Sequence, residues 1–228
     1  MTKKNVAVVL AGGKGKRMGM DIPKQYITVN NKMLICYTLE CFQNSFIDEI
    51  VVVVGKGEID WFRENVLNKY DFPKVVSVVE GGAERYNSVY NGLMAIENAD
   101  YVFIHDGARV CITQDILKRG YAAVLDKRAV VAGVKVKDTI KVVSDEGVIT
   151  DTPDRNHLWQ IQTPQIFEFD LIASAYRDMI NDPDRGNITD DAMVMENYGN
   201  IPVHVFEADY NNIKVTTQDD LAFVKNVL

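Results

Sequence analysis

The chain has 228 residues, of which 47% are hydrophobic and 25% charged, and this composition suits one large globular domain. Its formal net charge of −7 argues against a general nucleic-acid binder, which is usually basic. No apolar run approaches the roughly 20 residues that a membrane-spanning helix needs. Cysteine is sparse and no Cys-X-X-Cys spacing occurs, so we expect neither a zinc site nor a disulfide framework, and a reduced cytoplasm is the expected location.

The first part of the chain alternates between short Val- and Ile-rich runs and segments with helical spacing. Continuous apolar runs are typical of strands buried on both faces, and their alternation with helices indicates parallel βαβ units. We therefore predict an α/β fold with a mostly parallel sheet and helices on both of its faces. The predicted strands are 5–10, 49–55, 74–80, 100–106 and 129–136, and the predicted helices are 34–43, 58–70, 84–97 and 113–125.

The alternation changes after residue 136. Residues 137–157 alternate around "SDEG", which predicts a β-hairpin that projects as an arm from one domain comprising 1–228. A two-stranded ribbon is marginally stable alone, so we expect the arm to pack on another surface, such as a second subunit. The remaining predicted elements are helices near 170–180, at 189–198 and at 217–227, and a strand at 202–207.

The loop "AGGKGKR", residues 11–17, follows the first predicted strand. Its glycines allow backbone N–H groups to approach phosphate oxygens, and Lys14, Lys16, Arg17 and Lys24 supply positive charge. Met18 stands where the dinucleotide fingerprint would have its third glycine, and no Walker pattern is present. We interpret the loop as a phosphate-binding loop of another kind; the alternative is a solvated surface turn.

A second glycine pair, in "GGAERYNSV", follows the third predicted strand. Arg85 and Ser88 lie in the first turn of the next predicted helix, three residues apart and on one face. They are candidates for reading a nucleobase or a phosphate. The competing interpretation is a surface arginine and a serine that merely begins the helix.

The segment "HDGAR" places a carboxylate directly after the fourth predicted strand. Ligands of parallel sheets bind outside the carboxyl ends of the strands, so Asp106 is a candidate ligand for Mg²⁺ and Arg109 for a second phosphate. We interpret His105 as a structural residue.

Two later motifs also carry charged residues. In "TDDA" we interpret Asp190 and Asp191 as the first turn of a helix, with a metal site as the alternative. Lys214 is predicted in a short strand that enters the last helix, where an inward-pointing lysine would need an anion.

Taken in order, these motifs resemble the 2-C-methyl-D-erythritol 4-phosphate cytidylyltransferase family. The resemblance spans residues 11–217. It rests on "AGGKGKRMG", "PKQY", "GGAERYNSV", "HDGAR", "VKDTIK", "LWQIQTPQIF", "TDDA" and "NIKVTT". It implies a Rossmann-like nucleotidyltransferase fold, transfer of a cytidylyl group from CTP to a sugar-alcohol phosphate, Mg²⁺, and a homodimer formed through the arm.

The resemblance also implies site residues by motif position. Catalytic roles fall on Arg17, Lys24 and Lys214, and the metal falls on Asp106. The implied nucleotide-binding residues are Ala11, Gly12, Gly13, Gly15, Gly82, Arg85 and Ser88. The implied acceptor-binding residues are Arg109, Thr139, Arg155 and Thr163, with Thr139 and Arg155 reaching the site of the neighbouring subunit.

Two alternatives remain open at this point. Ribitol-5-phosphate cytidylyltransferases share most of these motifs, although "VKDTIK" and "LWQIQTPQ" favour methylerythritol phosphate. A regulatory protein on the same fold would bind CTP without turnover. Gly107 and Val110 depart from the alanine and proline that this family commonly has beside Asp106.

Overall fold

A seven-stranded sheet runs through this computed structural model, which describes residues 3–13 and 22–228. The sheet has the order β11-β7-β10-β6-β1-β4-β5, and β2–β3 and β8–β9 form separate two-stranded sheets. The strands are β1 (Asn5–Ala11), β2 (Thr28–Val29), β3 (Lys32–Met33), β4 (Glu49–Val54), β5 (Val75–Glu80), β6 (Tyr101–Asp106), β7 (Ala129–Lys135), β8 (Val142–Val143), β9 (Ile149–Asp151), β10 (Trp159–Glu168) and β11 (His204–Glu207).

Strand β1 lies in the middle of the sheet and pairs in parallel with both β4 and β6. Its side chains alternate between the two faces: Val6 and Val8 pack on one side, and Ala7 and Val9 on the other, all fully buried. The prediction of a mostly parallel sheet is therefore confirmed. One departure is β10, which runs antiparallel between β6 and β7 and is not among the predicted strands.

Helices cover both faces of the sheet, as predicted. Buried residues of α1, α2 and α4 pack on one face, those of α3, α5 and α6 on the other, and α7 packs in a separate cluster with Leu34 and Val215. No helix among the described residues has both the length and the hydropathy of a membrane span. The helices are α1 (Leu34–Gln43), α2 (Ile59–Phe62), α3 (Arg85–Met94), α4 (Gln114–Lys127), α5 (Phe169–Asn181), α6 (Asp191–Tyr198) and α7 (Gln218–Val227).

Element boundaries differ from the prediction in two places. The helix predicted at 58–70 is a short α2 that continues as a π-helical turn, Arg63–Leu67. The small β2–β3 hairpin was not predicted, and it connects a 3₁₀ turn at Lys24–Tyr26 to α1.

The predicted arm contains the β8–β9 hairpin, whose turn is closed by the Gly147 N–H donating to the Ser144 carbonyl over 2.9 Å. Its apolar side chains are exposed: 51% for Val143, 61% for Val148 and 58% for Ile149. Within this chain, those side chains form no core.

Candidate functional site

The carboxyl ends of β1, β5 and β6 open onto one cleft of about 530 Å³. This edge collects the three motifs that the sequence placed after different strands, because parallel strands end on the same side of a sheet. Among its lining residues are most of those predicted for the nucleotide, the catalysis and the metal: Gly12, Gly13, Lys24, Gly82, Arg85, Ser88, Asp106 and Lys214. Ala11 does not line the cleft; it is buried, and its carbonyl accepts a hydrogen bond from Gln25.

A second cavity, of about 160 Å³, adjoins the first. Arg109 and Thr163, both predicted to bind the acceptor, are among its lining residues. Arg85, Asp106 and Lys214 line both cavities, so the two spaces meet at the Asp106 carboxylate. The arrangement provides a larger and a smaller compartment with one charged boundary between them.

Three cations surround Asp106 at that boundary. Lys214 Nζ lies 2.7 Å from Oδ2, Arg85 Nε lies 3.5 Å from Oδ1, and Arg109 Nε lies 4.0 Å from Oδ2. Burial raises the pKa of the Asp106 carboxyl, but Arg85, Lys214 and Arg109 outweigh that effect and hold its pKa far below its ordinary value. Asp106 therefore stays ionised at neutral pH.

Lys214 reaches Asp106 from an irregular segment, 212–216, that has no strand pairing, so the prediction of a short strand there was wrong. The segment is tied to the cleft by the backbone: the Val215 N–H donates to the Ala108 carbonyl over 2.9 Å. The Val215 carbonyl in turn accepts from Lys24 Nζ at 2.8 Å. One segment thus places Lys24 and Lys214 close to each other, although they are distant in sequence. The anion that an inward lysine needs is Asp106.

Arg85, at the start of α3, forms a second ion pair: its Nη atoms, which do not face Asp106, bind Asp191. Nη1 and Nη2 each donate to a separate oxygen of Asp191 over 2.8 Å, and the Asp191 side chain is fully buried. Sequence reasoning missed this role. It treated Asp191 as part of a helix start, and Asp190 does cap α6 by accepting from the Met193 N–H. No local pattern signals a partner 106 residues away.

Ser88 lies on α3, and its hydroxyl bonds to the turn at Gly81 and Gly82 rather than pointing freely into the cleft. Its Oγ accepts from the Gly82 N–H at 3.1 Å and donates to the Glu84 carbonyl at 3.3 Å. A Cβ on Gly81 would lie 2.6 Å from that Oγ, so a side chain there would displace the Ser88 hydroxyl from the turn. Ser88 therefore fixes the shape of the turn that lines the cleft.

His105 and Thr163 form a buried hydrogen-bonded group that holds the backbone at Asp106. Thr163 Oγ1 accepts from the Asp106 N–H at 3.0 Å and lies 3.1 Å from His105 Nδ1, while His105 Nε2 lies 3.1 Å from the Arg109 carbonyl. Burial lowers the pKa of His105 to about 4, so the ring is neutral at physiological pH. These contacts agree with the interpretation of His105 as structural.

Besides Ala11, four predicted site residues either lie outside the described residues or line neither cavity. Gly15 and Arg17 lie outside the described residues. Thr139 and Arg155 are exposed on the arm and line neither cavity, and Arg155 donates to the Lys137 carbonyl over 3.1 Å. Their predicted roles in a neighbouring subunit stay predictions.

The metal prediction depends on one carboxylate. Within residues 3–13 and 22–228, no three His, Cys, Asp or Glu side chains gather in a way that would hold a metal ion. Mg²⁺ is commonly held by one or two carboxylates together with substrate phosphates and water. Asp106, charged and at the junction of the two cavities, fits such an ion when phosphates supply the other ligands.

Comparison with known proteins gives one consistent result. The family model described as IspD, 2-C-methyl-D-erythritol 4-phosphate cytidylyltransferase, matches residues 5–228. A protein of that name from Lachnoclostridium phytofermentans is 43% identical over 226 residues, which are 99% of this chain and 97% of the relative.

Solved structures agree with the sequence relatives. The crystal structure of 4-diphosphocytidyl-2C-methyl-D-erythritol synthase from Anaerococcus prevotii is 30% identical, with a TM-score of 0.85 and coverage of 99% of this chain and 98% of that one. The Francisella tularensis 2-C-methyl-D-erythritol 4-phosphate cytidylyltransferase is 31% identical, with a TM-score of 0.82 and coverage of 99% and 100%.

Proposed function

The chain belongs to the 2-C-methyl-D-erythritol 4-phosphate cytidylyltransferase family, and we propose that its two joined cavities hold the two substrates of that reaction. It is a nucleotidyltransferase that moves CMP from CTP to 2-C-methyl-D-erythritol 4-phosphate in isoprenoid precursor synthesis. The alternative acceptor, ribitol 5-phosphate, is not favoured by these relatives.

CTP occupies the larger cleft in this proposal. The glycine turns at 12–13 and 81–82 allow close approach to its base and phosphates, and Lys24 lies beside the triphosphate. Gly15 and Arg17 belong to the same loop by motif position: Gly15 would offer a backbone N–H to the phosphates, and Arg17 would join Lys24 in balancing their charge. The acceptor phosphate enters the smaller cavity, where Arg109 and Thr163 receive it.

The reacting atoms then meet beside Asp106 and Lys214. An acceptor phosphate oxygen forms a bond to the α-phosphorus of CTP, the bond from that phosphorus to the bridging oxygen breaks, and pyrophosphate leaves with the electron pair. The second pKa of a phosphate monoester is near 6, so the attacking oxygen is already ionised at neutral pH and no general base is required. Catalysis consists of positioning and charge stabilisation, with Lys214 at the α-phosphate.

Asp106 is the protein ligand of Mg²⁺ in this proposal, with phosphate oxygens and water as its other ligands. The ion would neutralise charge on the triphosphate. Lys214 now occupies one oxygen of Asp106, at 2.7 Å, so substrate binding must draw this lysine towards the α-phosphate. The cations around Asp106 keep it charged until then.

We propose further that two copies of the chain pair through their arms. The exposed Val143, Val148 and Ile149 side chains support this, because a bare apolar ribbon gains stability only when another surface covers it. Thr139 and Arg155 would then reach the acceptor of the partner subunit. A cytoplasmic location fits the three cysteines, none of which forms a disulfide.

The observation that carries the proposal is the shared boundary of the two cavities at Asp106, Arg85 and Lys214. The test is release of pyrophosphate by the purified chain with CTP and Mg²⁺, comparing 2-C-methyl-D-erythritol 4-phosphate with ribitol 5-phosphate. We expect turnover with the first and little with the second. An Asp106→Asn variant should need far more Mg²⁺; an unchanged requirement would contradict the metal assignment.

A further inference from the structure

The orientation of Arg85 is set from outside the cleft. Its forked end is taken by Asp191 at two distances of 2.8 Å, and only Nε faces Asp106, at 3.5 Å. A forked pair of this kind is the strongest arrangement that a guanidinium makes with a carboxylate. The same fork on Asp106 would occupy both of its oxygens and leave no place for a metal ion.

We propose that Asp191 is a positioning residue that holds Arg85 edge-on to Asp106 and so prevents the Arg85 fork from closing both carboxylate oxygens to the metal. The inference rests on the proposed role of Asp106 as the Mg²⁺ ligand. Arg85 still contributes positive charge at the boundary of the cavities, because its side chain lies within 3.5 Å of Asp106 and the residue lines both cavities. Asp191 thereby determines that Asp106 faces the Arg85 Nε and not the two Nη atoms.

Asp191 is itself held from two sides. Tyr176 on α5 donates its hydroxyl to Asp191 Oδ1 over 2.5 Å, and the residue sits at the start of α6, where unpaired N–H groups favour a negative charge. The next residue is fixed as well: the Ala192 N–H donates to Gln165 Oε1 over 2.8 Å. Gln165 also lines the smaller cavity, which connects this support to the acceptor side of the site.

The test measures the Mg²⁺ requirement of Asp191→Asn in two ways. In turnover, the Mg²⁺ concentration for half-maximal rate should rise roughly tenfold, because Arg85 is freed to form a charge-assisted pair with Asp106. Without acceptor, we expect CTP with Mg²⁺ to raise the melting temperature, and the Mg²⁺ concentration that gives half of that rise should be higher in the variant to a similar extent. In an Arg85→Met background the same Asp191 change should add no further shift, because the competing fork is gone.

Two variants separate positioning from simple support of the fold. Met179→Ala empties a fully buried position on α5 and should lower the melting temperature while leaving the Mg²⁺ requirement unchanged. Tyr176→Phe keeps every charge and removes only the hydroxyl on Asp191, so it should raise the Mg²⁺ requirement by roughly two- to threefold.

Each outcome decides the matter. If Asp191→Asn loses stability but keeps the wild-type Mg²⁺ requirement, as Met179→Ala should, the positioning role is refuted. If Asp191→Asn does not fold, Tyr176→Phe decides instead, and an unchanged requirement there refutes the role. If Asp106→Asn keeps the wild-type Mg²⁺ requirement, the metal assignment is overturned and this inference fails with it. If Asp106→Asn raises the Mg²⁺ requirement but Asp191→Asn leaves it unchanged, only this inference is overturned.

Discussion

Replacing Lys214 with methionine should separate catalysis from stability. The change removes the ammonium that lies 2.7 Å from Asp106 and keeps an apolar stem of similar length. Because Arg85 and Arg109 remain at 3.5 Å and 4.0 Å from the same carboxylate, Asp106 is still compensated in the variant. The fold therefore retains most of what the ion pair contributes.

The expected effect of Lys214→Met on stability is much smaller than its expected effect on kcat. The Lys214 side chain is 36% exposed, and ion pairs with that much solvent contribute about 1 kcal/mol or less to stability. In the transition state, by contrast, negative charge builds up next to this lysine inside the cleft. Loss of one preorganised stabilising group there costs about 10²–10³ in kcat, or about 3–4 kcal/mol.

The assay is steady-state release of pyrophosphate with saturating CTP, acceptor and Mg²⁺, together with thermal denaturation of the same samples. A matched control is Lys3→Met, since Lys3 forms a 2.7 Å pair with Asp100 far from the cleft. Lys3→Met should keep wild-type turnover. Lys214→Arg should recover only part of the rate, because a planar fork does not replace a mobile point charge.

A Lys214→Met protein with kcat within about threefold of wild type would refute this reasoning, because the barrier would then not depend on that charge. A fall in melting temperature as large as that of a core variant would contradict the expected small loss of stability. It would show that Arg85 and Arg109 do not compensate the charge of Asp106.

Three further predictions address the arm, the buried histidine and the glycine beside Asp106. Inactive Lys24→Ala and Arg155→Ala proteins, mixed under conditions of subunit exchange, should regain part of the activity; no recovery despite verified exchange would contradict a shared site. The pKa of His105 is about 4 when folded and 6.5 ordinarily, so the unfolded chain binds more protons between these values and stability falls as pH decreases through that window. Urea titrations near pH 7 and about pH 5 should differ by about 2 kcal/mol, and His105→Gln should lose most of that difference. A Cβ at Gly107 would lie 2.9 Å from the Leu10 carbonyl oxygen, so Gly107→Ala should cost about 1–3 kcal/mol in thermal or urea unfolding; unchanged stability would show that the backbone yields easily.

The fold was predictable because its signals are local and repeated. The continuous apolar run of β1 predicts a buried strand, and the spacing of apolar residues in α1 predicts a helix. The alternation of such segments implies a parallel sheet with helices on both faces. The direction of β10 was not predictable in this way. A strand's direction depends on which neighbour it pairs with, and an apolar run such as "QIF" carries no information about that choice.

The site was predictable to the extent that its residues follow strands. Asp106 and the glycines at 12–13 and 81–82 are placed by the ends of β6, β1 and β5, so strand order alone gathers them. Lys214 lies in an irregular segment, and its position depends on tertiary contacts such as the backbone bond from Val215 to Ala108. The catalytic role of Lys214 follows from the family resemblance, whereas the local sequence pattern predicted a strand that the structure does not contain.

Asp191 shows the limit of reasoning from pattern. As the first residue of α6 it already satisfies a local rule, since acidic side chains are favoured in the first turn of a helix. A residue with a sufficient local explanation gives no reason to look for a distant partner. Its full burial and the forked pair with Arg85 appear only once α3 and α6 are packed side by side against α5.

The charge of the whole chain and the charge of the cleft act on different length scales. A net charge of −7 is spread over a surface that solvent ions screen within about 8 Å at physiological salt. Lys214, Arg85 and Arg109 act on Asp106 over distances of 2.7–4.0 Å, which are shorter than this screening length. An acidic protein can therefore bring two phosphorylated substrates together. The excess of acidic residues does not weaken the site, because the field that an incoming phosphate meets is set by the few cations that line the two cavities.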